Sequence, residues 1–253
     1  MARVFSYLFY AYFFISSYFF LSIGQIVCWV TAPFDPLRKI VAYYISWWAY
    51  HYVQIVPTWK CHIEGVENID ANKNYVLVAN HQSFADINVL YGLYRPYKWV
   101  SKAEVFKIPI LGWNLRLNEC VAVKRGDRRS IMEMMATCQD WLKRGATLMI
   151  FPEGTRSEDG IMREFKDGAF RLAIDSNVPI VPIVLDGTKN IVTKGSDIMN
   201  FHADIRVKVL TPVYGSDFDN DSVKLKNHVH SLMANTLAEL RGEICQASAL
   251  PIS

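Results

Sequence analysis

Two short runs in this chain combine residue types that move protons and hold anions. The first is Asn80-His81-Gln82-Ser83-Phe84-Ala85-Asp86. A carboxylate that accepts the Nδ1 hydrogen of an imidazole fixes its tautomer and leaves Nε2 free as a base. That is the orienting role of the acid in a catalytic triad, here without the serine. On one continuous helix, residues five apart are about 140° out of phase. His81 and Asp86 therefore meet only if His81 sits in a turn before the helix and Asp86 reaches back from its first turns. The second run is Phe151-Pro152-Glu153-Gly154-Thr155-Arg156-Ser157. Gly154 permits close backbone approach, Thr155 and Ser157 supply hydroxyls, and Arg156 supplies a planar fork of donors that fits a phosphate. Alone, each run also has a plain reading: a satisfied structural His–Asp pair, and a turn with an exposed arginine.

What positions these runs is an alternation of strands and helices. Tyr75-Val76-Leu77-Val78-Ala79 reads as a buried strand ending just before His81, with helix-like spacing at Phe84, Ile87, Val89 and Leu90 after it. Thr147 to Phe151 is a second strand, ending at the Glu153 run. Ligands of open α/β sheets bind at the carboxyl ends of the strands, so both runs belong on one edge. Cys120 to Val123 and Ile180 to Leu185 read as further strands, and Ile205 to Leu210 as a fifth. Pro182 suggests a sheet edge or an irregularity. Arg129 to Arg144 is the clearest helix, with Ile131, Met134, Met135, Cys138, Trp141 and Leu142 at three- and four-residue steps and Gly145 as its stop. A last helix covers Ser222 to Arg241. The pattern predicts an α/β fold with a central mixed sheet flanked by helices.

The N-terminal sixty residues differ. Val4 to Phe34 carries no charge, and neither does Ile40 to Trp59; Pro33, Asp35, Pro36, Arg38 and Lys39 separate them, and Pro57 closes the second. A helix over the first stretch reaches roughly 45 Å, more than the ~30 Å hydrocarbon core of a bilayer. Trp29, Trp47, Trp48 and Trp59 suit interface depths. Tyr10, Tyr12, Ser16, Ser17, Gln25, His51 and Gln54 make both stretches less oily than typical spans, so the hairpin either spans the membrane or lies within one leaflet. The predicted organisation is a membrane-associated helical hairpin at 1–60 and an α/β domain at 61–253, with its motif core at about 75–187.

Composition narrows the function. Of 253 residues 51% are hydrophobic, enough for one cored domain plus an appendage. A net charge of +3 gives no support for nucleic-acid binding. Between Lys98 and Arg171, fourteen Lys and Arg stand against ten Asp and Glu, which suits an anionic substrate or lipid surface. The five cysteines (Cys28, Cys61, Cys120, Cys138, Cys245) are scattered, which argues for buried thiols in a reducing compartment and no metal site. His228 and His230 point in different directions on a helix and read as surface residues.

Taken together, the two runs resemble the blocks of the glycerolipid acyltransferase family that includes 1-acylglycerol-3-phosphate acyltransferases: Asn-His-x4-Asp followed by Phe-Pro-Glu-Gly-Thr-Arg-Ser, in this order and at about this separation. Ser101 to Glu104, through Pro109 and Gly112 to Arg125, is similar to the family's second block, and Val178 to Pro182 to its fourth. Phe165-Lys166-Asp167-Gly168-Ala169-Phe170 matches the stretch after the third. The resemblance covers about Tyr75 to Gly187. It implies transfer of an acyl group from a thioester, on coenzyme A or acyl carrier protein, to the free hydroxyl of a lysolipid, foremost lysophosphatidic acid. His81 would be the base and Asp86 its orienting acid. Arg156, Arg125 and Lys102 would hold the acceptor's phosphate, and Glu153 would either order the loop of Gly154 and Thr155 or contact the acceptor's glycerol. No bound cofactor or metal is needed. Thioester donors place the catalytic domain on the cytoplasmic face of a membrane. The chain departs from the second block at Asn118-Glu119-Cys120, where Glu119 would add negative charge close to the phosphate site. Alternatives are another lysophospholipid or a lyso-ornithine lipid as acceptor, a lipid hydrolase using Ser83, or a non-catalytic lipid-binding protein. Ser83 lies crowded against His81 and Asp86, and the chain lacks a Gly-x-Ser-x-Gly elbow.

Overall fold

A computed structural model describes residues 2–157, 160–191 and 198–242. In chain order the elements are α1 (Ala2–Thr31), α2 (Lys39–Gln54), β1 (Trp59–Glu64), β2 (Val76–Ala79), α3 (Ala85–Tyr91), β3 (Lys98–Lys102), α4 (Leu111–Leu117), β4 (Val121–Val123), α5 (Arg128–Lys143), β5 (Leu148–Ile150), α6 (Gly168–Asp175), β6 (Ile180–Asp186), β7 (Ala203–Val209) and α7 (Ser222–Arg241). The strands form one sheet in the order β1-β7-β6-β2-β5-β3-β4. From β6 to β4 every pair is parallel; β7 runs antiparallel to β6 and parallel to β1. The sheet is mixed and helix-flanked, as the pattern predicts.

Side-chain alternation along the central strands fills both faces. Leu77 and Ala79 of β2 join Val181, Ile183 and Leu185 of β6 in a core shared with α2 and α3. Val76 and Val78 join Ile180 and Val184 in the opposite core, under α5, α6 and α7. Because strands buried on both faces read as continuous apolar runs, β2, β5 and β6 are visible in the sequence. Two strands are not. β1 follows an apolar stretch that seemed to run unbroken to Trp59, and β3 carries two lysines. The boundary at residue 60 falls inside β1. Pro182 lies on a central strand, not an edge. It does mark an irregularity: β6 pairs with β7 at Ile183↔Val209 but with the segment after β7 at Ile180↔Val213, so that segment carries one extra residue opposite Pro182.

At the N-terminus, α1 is the one described helix long and apolar enough to cross a membrane, and most of its surface is exposed. Its Ser6, Ser16, Ser22 and Thr31 hydroxyls donate to carbonyls four residues back, which satisfies them within the helix. Three of its polar side chains also meet α2: Tyr12 Oη lies 2.7 Å from His51 Nε2, and the Ser16 and Ser17 hydroxyls each lie 2.9 Å from Tyr52 Oη. At 16 residues α2 is about 24 Å long, too short to cross. It buries Val41, Ile45, Trp48, Tyr52 and Val53 in the sheet's core. Of the two helices expected as a membrane hairpin, α1 alone has membrane length, while α2 packs on α1, buries one face in the core and exposes Ile40, Tyr43 and Trp47 on the other.

Among the described cysteines, Cys28 and Cys138 are buried and Cys61 and Cys120 partly so; Cys245 lies outside the described residues. His228 is exposed, but His230 is half-buried against Phe165, with ring centroids 4.7 Å apart.

Candidate active site

His81 leaves β2 at its carboxyl end and Asp86 stands in the first turn of α3, the arrangement that lets them meet. His81 Nδ1 lies 2.8 Å from Asp86 Oδ2. The same oxygen accepts the backbone N–H of Gln82 at 2.6 Å and of Ser83 at 2.9 Å, so the fully buried carboxylate also closes the turn into α3. In the neutral ring with Nδ1 donating, Nε2 is the acceptor nitrogen, and no hydrogen bond to it occurs among the described residues. The imidazole lies flat on Phe151, centroids 4.0 Å apart and planes 9° apart, and Phe151 in turn packs on Trp99.

The second run follows β5, next to β2, and is bonded directly to His81. Glu153 is buried. Its Oε1 accepts the backbone N–H of His81 at 2.8 Å and its Oε2 the backbone N–H of Arg163 at 3.0 Å. Burial raises its pKa above the usual carboxylate range, against the opposing pull of those two N–H groups. Ser157 N donates to His81 O at 2.8 Å, closing the loop from the other side. Both Glu153 oxygens thus accept backbone N–H groups, contacts that order the loop.

Gly154 has φ of +70°, and a Cβ there would lie 2.8 Å from Lys166 Nζ. The glycine thus brings an exposed lysine to the loop. Arg156 rests its guanidinium 4.0 Å over the ring of Phe84 and makes no ion pair among the described residues, which leaves its edge of N–H donors available. Thr155 is exposed beside it. Lys102 ends β3, 3.6 Å from Glu104, and Arg125 follows β4, exposed. The lateral order β2-β5-β3-β4 sets His81, the Glu153 to Ser157 loop, Lys102 and Arg125 along one edge, with Arg125 about 14 Å from His81 by three strand spacings. No hydrogen bond or ion pair among the described residues links Lys102 or Arg125 to the loop.

Glu119 does not crowd this edge. It precedes β4, so it lies at the opposite end of the sheet, where it pairs with Arg38 at 2.7 Å and approaches Lys98 Nζ at 3.9 Å. Its charge is answered by residues that the linear spacing could not reveal. Asn80 bridges β2 to β6: its side-chain amide donates to Leu185 O and its carbonyl accepts from Leu185 N, at 2.8 and 2.7 Å. That extends the ladder one step and fixes the strand end from which His81 departs. Ser83 Oγ accepts the Ala85 N–H at 3.3 Å and has no bond to His81, so it does not form a nucleophile–base pair. Sequence reasoning passed over Phe151, Phe84 and Lys166; the first two sit inside the motif runs as apolar residues, and Lys166 follows in the adjacent matched stretch. No cluster of His, Cys, Asp and Glu able to hold a metal occurs among the described residues.

The carboxyl edge of the parallel strands thus carries the His81–Asp86 pair, the Glu153 to Ser157 loop, Lys102 and Arg125. Residues 60–186, half of the chain, match the family model described as Acyltransferase, and the chain belongs to that family. It is 42% identical over 188 residues to a chloroplastic 1-acyl-sn-glycerol-3-phosphate acyltransferase of Brassica napus, covering 74% of this chain and 54% of the relative. The counterpart from Arabidopsis thaliana gives 42% identity, with 74% and 52% covered. The chain thus spans about half the length of these two relatives. The crystal structure of the 1-acyl-sn-glycerophosphate acyltransferase PlsC from Thermotoga maritima superposes with a TM-score of 0.76 at 27% identity, covering 95% of this chain and 98% of that one.

Proposed function

We propose that this protein transfers a fatty acyl group from a thioester, acyl-CoA or acyl carrier protein, to the free sn-2 hydroxyl of 1-acylglycerol 3-phosphate, giving phosphatidic acid for phospholipid synthesis. The observation that carries this is the His81–Asp86 pair, tied by Glu153 to a loop whose Arg156 makes no ion pair among the described residues. The names of the relatives agree with it.

In this reading His81 Nε2 takes the acceptor's hydroxyl proton as the oxygen attacks the thioester carbonyl. Asp86 stabilises the imidazolium, and Phe151 lies against its face. The tetrahedral centre collapses with cleavage of the C–S bond, and the imidazolium returns its proton to the departing thiolate. Ester and free thiol are the products, and no acyl-enzyme forms. Arg156, with Lys166, Lys102 and Arg125 along the edge, holds the phosphate. A positioned base of this kind contributes roughly 10²–10⁴ in rate.

The acceptor and a long acyl chain both reside in a bilayer. We place α1 there as the anchor, with the rest of the chain as a catalytic unit on the cytoplasmic face, where thioesters are made. Purified protein in vesicles, given radiolabelled acyl-CoA or acyl carrier protein and a panel of lysolipids, tests the acceptor. Labelled phosphatidic acid should dominate; equal labelling of a lysolipid without a terminal phosphate overturns the assignment.

A further inference from the structure

The segment Lys107-Ile108-Pro109-Ile110-Leu111-Gly112-Trp113 takes no part in the site above, yet the fold pays to display it. Ile108, Leu111 and Trp113 are 45%, 40% and 46% exposed. The run from Ile108 to Leu115 is uncharged and flanked by Lys107 and Arg116. At its centre Ile110 has φ of 66° and ψ of −59°, and Leu111 N donates across it to Pro109 O at 2.7 Å. This is the rare, strained form of the γ-turn, and a positive φ at a β-branched residue is a genuine outlier. Gly112 locks the turn from behind, since a Cβ there would lie 2.1 Å from Phe106 O. Backbone strain of this kind persists where its surroundings over-determine it, and it clusters at ligand-contact sites. Here it faces apolar side chains outward.

The segment follows β3 at the sheet edge that carries His81. It opens α4, which packs on α1, with Leu117 closing on Gly24. Phe84, 63% exposed before α3, is a further apolar side chain on this edge; Lys107 and Arg116 flank the run in sequence, and Lys102, paired with Glu104, and Arg125 close the adjoining strands β3 and β4. Apolar side chains framed by cations complement an anionic bilayer surface, and tryptophan favours that depth.

We propose that the Lys107–Trp113 turn is a second membrane contact, setting Ile108, Leu111 and Trp113 among the headgroups of an anionic leaflet beside the catalytic edge. A lysolipid then passes from leaflet to site without crossing water. The inference rests on the reading that α1 lies in the membrane, and the test separates the two. The full chain is placed in phosphatidylethanolamine–phosphatidylglycerol vesicles containing a phospholipid with a diazirine on its acyl chain near the headgroup, irradiated, and its labelled peptides mapped. Label on both α1 and the 107–113 peptide is the expected result. Label on α1 alone overturns the second contact; label on neither overturns the membrane reading and the second contact with it. Ile108→Ser/Trp113→Ser, changing two exposed positions, gives a functional readout. Its kcat/KM for vesicle-borne lysophosphatidic acid should fall at least tenfold, with kcat/KM for a monomeric short-chain acceptor unchanged. Equal effects on both acceptors, or none on either, contradict the proposal.

Discussion

The side chain of Glu153 accepts the backbone N–H of His81 at 2.8 Å, so the residue that opens the anion-binding loop also fixes the backbone of the base. Its other oxygen holds the N–H of Arg163. Glu153→Gln replaces one acceptor with an NH2 that faces a backbone donor, and should lower kcat about 10²-fold with the fold retained. The raised pKa gives a pH signature. As pH falls, Glu153 takes up a proton earlier than an ordinary glutamate and loses its grip on one N–H. A carboxyl whose folded pKa lies above its unfolded value contributes stability at low pH that is lost as pH rises, so this protonation does not unfold the protein. Activity should therefore fall reversibly on the acid side before the circular dichroism signal does. Coincident loss of both contradicts the assignment.

Asp86 serves the base and the turn with the same oxygen. Asp86→Asn keeps an acceptor but removes the charge that favours the imidazolium, and should cost kcat about 10²–10⁴-fold. Asp86→Ala should also destabilise the protein, since it strands the Gln82 and Ser83 N–H groups at about 1–3 kcal/mol each. Ser83→Ala should spare most activity, because its hydroxyl only accepts a local N–H. Loss of all transfer in Ser83→Ala would restore the hydrolase-like alternative.

Arg156 sets its guanidinium over the Phe84 ring, and a lysine reproduces neither that planar group nor its fork of donors. Arg156→Lys should raise KM for lysophosphatidic acid tenfold or more with a smaller change in kcat. Phe84→Leu should shift KM in the same direction, with Phe84→Tyr close to wild type. A fall in kcat alone in steady-state assays contradicts the phosphate-holding role.

Lys98 is buried at the far edge of the sheet, over the Trp141 ring and bonded to Asn118 O, and burial lowers its pKa to about 8. A lysine with a folded pKa below its unfolded value disfavours folding wherever both states are charged, and the penalty is relieved as pH rises from about 8 toward the ordinary lysine value. Lys98→Met removes that penalty but leaves Asn118 O without its donor, so its melting temperature relative to wild type should be highest near pH 7. The difference should move in favour of wild type between pH 8 and 10 in thermal melts. A difference that stays constant from pH 7 to 10 contradicts this.

Much of the fold was readable because burial leaves a period in the sequence. Val76 to Ala79 and Ile180 to Leu185 are continuous apolar runs because both faces of the sheet are covered. Arg128–Lys143 shows its apolar face at helical steps and its cap at Asp127. β3 was hidden because Lys98 is a buried charge whose partners lie elsewhere in sequence. Glu119 was misplaced because spacing along the chain does not tell which end of a strand a residue occupies. At the site, the titratable residues were legible from their types. The roles of Phe151 under His81 and Phe84 under Arg156 were not, since an aromatic in an apolar run gives no sign of what will stack on it. The apolar length of α2 was legible, but not that one of its faces packs on the sheet, since a core helix and a membrane helix share one composition.

The most direct test of the central claim is the rate of labelled phosphatidic acid formation from lysophosphatidic acid and a radiolabelled acyl thioester, wild type against a folded His81→Ala variant in the same vesicles. The account predicts transfer by wild type and a loss of at least 10²-fold in the variant, with no labelled acyl-enzyme trapped in either. Equal turnover by the two proteins, or no transfer by wild type from either thioester, contradicts it.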